Sequence, residues 1–283
     1  MSALLLTLTV LISGVQGIFT KKYSRIDGCG MYTYYFISSM FALALFIFQS
    51  GFNLEFQYVG LIYSFLFAVA YCSAIVFQFV ALKNGPLSLT ILIVSYSLII
   101  PAFYGIFFLK ERFSALMIVG LVFLAISLVM TVEFKQENKK INLRWFIAVS
   151  MAFVGNGMCS TVQKMHQVRF NGHYKSELMI FALIIVALFM LTMGLTTERK
   201  IFLNSVRRGW YLSASLGIAN GLTNLFVLIL NNIVPASLLF PVVSAGGVVS
   251  SSIVGIVIFK ERLNRIQLVG VIIGIIAIVL LNV

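Results

Sequence analysis

Polar side chains recur at helical spacing inside long apolar runs of this sequence. Asn220, Asn224 and Asn231 are separated by four and seven residues, and Thr223 stands beside them. Side chains with this spacing share one face of a helix. Amides and hydroxyls both donate and accept hydrogen bonds, so they can pair with the carboxylate and the ammonium of a zwitterion without carrying a charge. The chemistry indicated is the binding of a neutral or zwitterionic small molecule.

Similar polar stripes occur in other apolar runs, and polar groups in hydrocarbon normally face a bundle interior or a wet cavity. The predicted substrate-binding residues are Gln16, Tyr71, Gln78, Tyr96, Asn156, Gln163, Asn220, Thr223 and Asn224. Lys83, at the end of an apolar run, is the candidate contact for an anion. For each residue alone, a hydrogen bond between two helices is the alternative role. As a set, the stripes favour one shared cavity.

Several kinds of chemistry are excluded by what the sequence lacks. No Asp or Glu lies deep inside an apolar run, so protonation of a membrane carboxylate is a poor mechanism. No phosphate-binding glycine motif, HExxH or paired carboxylates occur, and the three cysteines lack zinc spacing. We therefore expect that the protein is not an enzyme and that it binds neither a cofactor nor a metal ion. His166 and His173 are expected to be solvated, and Lys164 is expected to reach the membrane interface.

These residues must be positioned by membrane-spanning helices. The chain is 61% hydrophobic and 10% charged, whereas soluble domains carry about 25% charged residues. A helix needs about 20 apolar residues to cross the hydrocarbon core. Runs of this kind are residues 2–20, 31–51, 58–82, 86–108, 115–132, 145–163, 177–195, 210–230, 235–258 and 266–282. The predicted fold is an all-α polytopic membrane protein with ten transmembrane helices, the first a retained span rather than a signal peptide.

The net charge of +12 comes from cations scattered between the apolar runs, which does not predict nucleic-acid binding. Fifteen of the 20 Lys and Arg follow odd-numbered spans, and five follow even-numbered spans. Because cytoplasmic loops are enriched in Lys and Arg, this count places both termini outside the cell.

The two halves of the chain repeat each other. Lys110-Glu-Arg112 recurs as Lys260-Glu-Arg262, and Pro86-Leu-Ser88 recurs as Pro235-Ala-Ser237. Two further pairs match in the same order, Gly14 with Gly157 and Lys21 with Lys164. Each copy holds five spans, so the second copy enters the membrane inverted, which is a transporter architecture. The predicted organisation is a first repeat at 1–133, a connecting loop at 134–144 and a second repeat at 145–283.

Small residues every fourth position predict close helix packing in the fourth span and its copy. They are Ser97, Pro101 and Gly105, which become Gly247, Ser251 and Gly255 in the ninth span. Pro101 also removes a backbone donor, so it can kink the fourth span.

Two inverted five-helix repeats resemble the drug/metabolite transporter superfamily in its EamA-type branch. The matching segments are Ala81-Leu-Lys-Asn-Gly-Pro86-Leu-Ser in the first half and Asn232-Ile-Val-Pro235-Ala-Ser in the second. The resemblance implies a secondary carrier with a central cavity between the repeats, working by alternating access. Family members move amino acids, other metabolites, nucleotide sugars or drugs. The ten-helix members usually have both termini in the cytoplasm, opposite to the charge count, so the absolute orientation stays open.

The leading hypothesis is therefore an exporter of small amino-acid-like or other neutral metabolites in a cell membrane, most readily a bacterial inner membrane. Its expected partners are a small-molecule substrate and the lipid bilayer, with no nucleic acid; a homodimer is left open. One alternative is an anion exchanger for phosphorylated sugars or nucleotide sugars, which needs a cation in the cavity. The other alternative is an integral-membrane enzyme, which needs clustered catalytic groups at one membrane face.

Overall fold

The computed structural model describes residues 2–55, 57–111, 115–131, 142–259 and 264–281, which form ten helices and no strand. In chain order, α1–α3 are Ser2–Tyr23, Met31–Gln49 and Tyr58–Asn84. Helix α4 has three parts, Leu87–Ser95, a 3₁₀ turn at Tyr96–Leu98, and Ile99–Phe107. The others, α5–α10, are Ala115–Thr131, Leu143–Arg169, Lys175–Thr197, Phe202–Leu230, Ala236–Phe259 and Arg265–Leu281.

The helices have the length and the surface of membrane spans. Seven of them, α1–α4 and α6–α8, are at least 18 residues long and apolar enough to cross a bilayer. Shorter apolar stretches lie within α5, α9 and α10. Large hydrophobic side chains such as Leu4, Phe107 and Leu188 are exposed on the outside of the bundle, as lipid contact requires. The all-α polytopic prediction is confirmed, and the protein is a multi-pass membrane protein.

Eight helices form a closed ring in the order α1, α8, α2, α7, α3, α6, α4, α9. Each helix of the first half therefore stands between two helices of the second half. The remaining two, α5 and α10, pack on each other and against α9 outside the ring. Exchanging α1 with α6, α2 with α7, α3 with α8 and α4 with α9 maps the ring onto itself. This symmetry is the one that an inverted repeat generates.

Small residues let neighbouring helices of the ring approach closely. A Cβ added to Gly155 of α6 would lie 2.7 Å from the backbone nitrogen of Ala74 in α3. One added to Gly217 of α8 would lie 2.3 Å from the carbonyl oxygen of Ser38 in α2. Without room for a side chain at these contacts, association depends on backbone packing, which is the main source of helix affinity in lipid.

Hydrogen bonds between loops and helix ends define two membrane faces. Asn204 Nδ2 donates to the carbonyl oxygen of Gly28 (2.9 Å), which joins loop 24–30 to the first turn of α8, next to loop 198–201. We call this side, which also holds loop 85–86, the Lys21 face. At the opposite side, Asn232 Nδ2 donates to Gln167 Oε1 (3.2 Å). We call this side, with loops 50–57, 108–111, 170–174 and 231–235, the Lys164 face.

Helix α6 is longer than the sequence predicts, and two expectations fail as a result. The helix continues to Arg169, six residues beyond the predicted end of the span. His166 is therefore helical and fully buried rather than solvated, with its ring 5.6 Å from that of Tyr63. Lys164 is also buried, at 5% exposure, instead of reaching the interface. Loop 231–235 supplies polar partners to Lys164 and Gln167, and the rings of Tyr63 and Phe170 pack against His166, so this polar end of α6 can be buried.

Candidate substrate-binding site

A cavity of about 200 Å³ lies at the centre of the ring, between α1, α3, α4, α6, α8 and α9. At ~30 Å³ per water this is the volume of roughly six or seven water molecules, so a small metabolite would fit. The residues that line this central cavity are Ser13, Gln16, Phe67, Tyr71, Ser97, Leu98, Asn156, Cys159, Ser160, Gln163, Asn220, Thr223, Asn224, Val227, Phe240, Val243 and Ser244.

Seven of the ten residues that the sequence singles out meet at this cavity. They are Gln16, Tyr71, Asn156, Gln163, Asn220, Thr223 and Asn224. They come from four helices, α1, α3, α6 and α8, and from both repeats. Residues separated by more than 200 positions in sequence are thus in hydrogen-bonding contact.

The structure does not bring Lys83, Gln78 and Tyr96 to the central cavity. Lys83 is exposed at the Lys21 face, with Nζ 4.3 Å from the centre of the Phe79 ring. Gln78 lies on α3 two helical turns beyond Tyr71, outside the cavity lining. Tyr96 faces a separate apolar cavity of about 170 Å³, and its hydroxyl donates to the carbonyl oxygen of Ala125 (2.8 Å).

A chain of side-chain amides forms one wall of the cavity. Gln16 Nε2 donates to Thr223 Oγ1 (2.8 Å), and Asn220 Nδ2 lies 3.4 Å from Gln16 Oε1. Asn224 Nδ2 donates to the main-chain and side-chain oxygens of Asn220 (2.9 and 3.0 Å). Gln163 Nε2 in turn donates to Asn224 Oδ1 (2.7 Å). This chain runs from α1 through α8 to α6, so it ties both repeats together across the cavity.

The break in α4 brings a second polar pair to the cavity. The proline ring at position 101 crowds the carbonyl of the residue four positions earlier, and the helix tightens to a 3₁₀ turn at Tyr96–Leu98. Ser97 lies in this turn, where its Oγ accepts a hydrogen bond from Asn156 Nδ2 (2.6 Å). The kink that Pro101 predicts therefore coincides with the part of α4 that lines the site.

Apolar side chains form the rest of the lining, and the sequence pattern does not distinguish them from other core residues. Phe67 stacks on Tyr71, with ring centroids 5.8 Å apart and planes inclined by 14°. Phe240 and Val243 of α9 contribute further apolar surface. In an apolar chain such residues carry no distinct periodicity. Ser13 and Ser160, in contrast, share the spacing of the polar stripes and could be found from it.

The electrostatic character of the site is simple. Among the described residues that line the cavity none is charged, and the polar groups are amides and hydroxyls. Such a lining can hydrogen-bond charged groups of a solute, whereas a net anion would find no cation there to offset its desolvation.

Comparisons with known proteins support the membership that the repeats suggest. Residues 1–133 match the sequence profile of the EamA-like transporter family. No curated protein sequence matches the chain. A solved structure entitled "Crystal structure of protein" superposes with a TM-score of 0.82 at 13% identity, covering 99% of this chain and 95% of the other. At this identity the likeness concerns the fold, and it extends over both repeats. The resemblance to the drug/metabolite transporter superfamily is confirmed.

Proposed function

Because residues 1–133 match the sequence profile of the EamA-like transporter family, we propose that this chain is a secondary transporter that exports a small neutral or zwitterionic metabolite by alternating access. The family is one of membrane transporters. The proposed substrate site is the central cavity, and the proposed location is the inner membrane of a bacterium.

One observation carries the substrate class, namely the pairing of an uncharged amide wall with an apolar wall in the same small cavity. Asn220 and Asn224 offer donors and acceptors to a carboxylate and an ammonium. Phe67 and Phe240 offer apolar surface to a side chain. An amino acid with a small apolar side chain combines both requirements.

An uncharged lining also suits the return of the empty carrier. When no substrate is bound, the amides satisfy one another, as Gln163 and Asn224 do (2.7 Å). A lone charged group in the same place would be left without a partner, at a cost of several kcal/mol. The anion-exchanger alternative lacks support because Lys83 is exposed and remote from the cavity.

The decisive experiment is counterflow in liposomes that contain the purified full-length chain. Liposomes preloaded with an unlabelled neutral amino acid should accumulate the radiolabelled form, whereas those preloaded with sugar phosphates should show no exchange of labelled sugar phosphate. The Lys83→Gln variant should keep the rate of the parent protein. Exchange of sugar phosphates in preference to neutral amino acids, abolished in Lys83→Gln, would overturn the proposal.

A further inference from the structure

A buried ion pair lies about one helical turn from the central cavity, towards the Lys164 face. Lys164 Nζ is 3.7 Å from Glu111 Oε1, and the two side chains are 7% and 11% exposed. Lys164 directly follows Gln163, which lines the cavity. Ala236, where α9 begins, precedes the cavity residue Phe240 by one turn. The pair therefore stands between the substrate site and one side of the membrane.

Glu111 holds the first turn of α9 to the end of α4. Its carboxylate accepts hydrogen bonds from the backbone N–H groups of Ala236 (2.7 Å) and Ser237 (2.9 Å), and from Ser237 Oγ (2.7 Å). A carboxylate at this place satisfies helix donors that have no partner within the helix and meets the positive end of the helix dipole. Gly105 makes room for it, because a Cβ there would lie 2.4 Å from Glu111 Oε2.

Lys164 holds the end of α8 in the same cluster. Its Nζ donates to the carbonyl oxygens of Asn231 (2.8 Å) and Val234 (3.3 Å), just after the last turn of α8. A cation is favourable at this negative end of the helix. Glu111 and Lys164 together thus connect α4, α6, α8 and α9, which are four of the six helices around the cavity.

Such a cluster is poorly suited to stabilising one fixed state. Buried ion pairs lose most of their Coulombic gain to desolvation, so they contribute little net stability compared with apolar packing. When the helix ends separate, however, both charges regain water, and this hydration offsets part of the attraction that is lost. Buried pairs of this kind are best attested where they select between alternative arrangements.

We propose that the cluster of Lys164, Glu111 and the first turn of α9 is a latch that closes the cavity at the Lys164 face. The proposal rests on the proposed transport function, because it assigns residues that decide whether this face reaches the substrate site.

The test is the accessibility of a cavity cysteine from each face, measured without any substrate. Ser160→Cys is introduced into a chain in which Cys29, Cys72 and Cys159 are replaced by serine. The full-length protein in liposomes is treated with a membrane-impermeant methanethiosulfonate reagent outside or inside. Cysteines placed at the exposed residues Ser24 and Asn53, on the Lys21 and Lys164 faces, report the fraction of molecules in each orientation.

Glu111→Gln should raise the labelling rate from the Lys164 face by roughly 10- to 100-fold, the effect expected when a buried charged hydrogen-bond partner is lost. Lys164→Gln leaves the Glu111 carboxylate hydrogen-bonded to the first turn of α9, and it should also raise the labelling rate from the Lys164 face.

Glu198→Gln is the matched control. The Glu198 carboxylate accepts hydrogen bonds from Tyr32 N, Thr33 N and Thr33 Oγ1 (each 2.9 Å), so it caps α2 as Glu111 caps α9. Its loss should leave the sidedness of labelling unchanged. If Glu111→Gln and Lys164→Gln label as the parent does, or if Glu198→Gln shifts the sidedness equally, Glu111 is an ordinary helix cap and the latch is refuted. Since no substrate enters the assay, an incorrect substrate class would not affect this result.

Discussion

Replacing Asn224 with leucine tests whether the amide wall of the cavity binds substrate. Asn224 is the middle member of this wall, since its Oδ1 accepts from Gln163 Nε2 (2.7 Å) and its Nδ2 donates to both oxygens of Asn220. Leucine has a similar size and is well tolerated in a membrane helix. The change therefore removes the hydrogen-bonding groups while the helix itself is retained.

The magnitude follows from the groups left without partners. In the variant, the contact that remains for Gln163 Nε2 among the described residues is a weak one with Met179 Sδ at 3.9 Å. A bound solute also loses the amide that it would have contacted. A buried polar group without a partner costs about 1–3 kcal/mol. Since about 1.4 kcal/mol corresponds to a factor of ten, the affinity for a transported amino acid should fall roughly 10- to 100-fold.

Counterflow in liposomes at several concentrations of the amino acid gives the half-saturation constant of each variant. Ser215→Leu is the control, because Ser215 lies on the same helix and its hydroxyl donates to the carbonyl oxygen of Tyr211, outside the cavity. It should retain the affinity of the parent. If both leucine variants weaken transport to the same degree, the reasoning is refuted and the amide wall serves helix packing instead.

Two further predictions concern the stability of the helix packing and the reactivity of a loop cysteine. Gly217→Ala should destabilise the protein by about 1–3 kcal/mol through overpacking, because the new Cβ would lie 2.3 Å from Ser38 O; thermal unfolding in detergent measures this. At Gly60 an added Cβ would meet no described atom within 4 Å other than its own helix backbone, so Gly60→Ala should leave the unfolding midpoint unchanged. An equal loss of stability in both variants would contradict the packing argument. Burial raises the pKa of the Cys29 thiol, whereas a free thiol has a pKa of ~8.5. Maleimide should therefore label Cys29 more slowly than a free thiol at pH 7.5. The labelling rate of Cys29 should also reach half of its maximum at a higher pH. Identical pH profiles for Cys29 and for a cysteine at Ser24 would contradict this burial.

The apolar runs predict the helices well where the run and the helix end together. The third span is predicted as residues 58–82 and observed as Tyr58–Asn84. The eighth is predicted to begin at residue 210 but begins at Phe202. Its first two turns contain the polar residues Asn204, Arg207 and Arg208. These residues lie before the apolar run but are already helical. Hydropathy therefore locates the membrane-embedded part of a helix, whereas its polar extension is set by contacts in the loops.

Spacing predicts which face of a helix a polar residue occupies but not its depth in the membrane. Asn220 and Asn224 line the cavity, whereas Asn231 on the same stripe lies at the end of α8. Eleven residues of helix rise about 16 Å, which exceeds the size of the site. Gln78 fails for the same reason. Tyr96 fails because the 3₁₀ turn in α4 changes the direction of successive side chains, which helical spacing does not anticipate.

The alternation of the two repeats around the ring has a consequence for biosynthesis. While only residues 1–133 have emerged, α1–α4 lack the helices that separate and flank them, because every neighbour in the completed ring comes from the second half. At about 5–20 residues per second, the remaining 150 residues take roughly 8–30 s to synthesise. Gln16 and Ser97 lack their ring partners until Thr223 and Asn156, respectively, have been synthesised. The first half therefore cannot complete its packing on its own, and the ring closes only once α9 has been made.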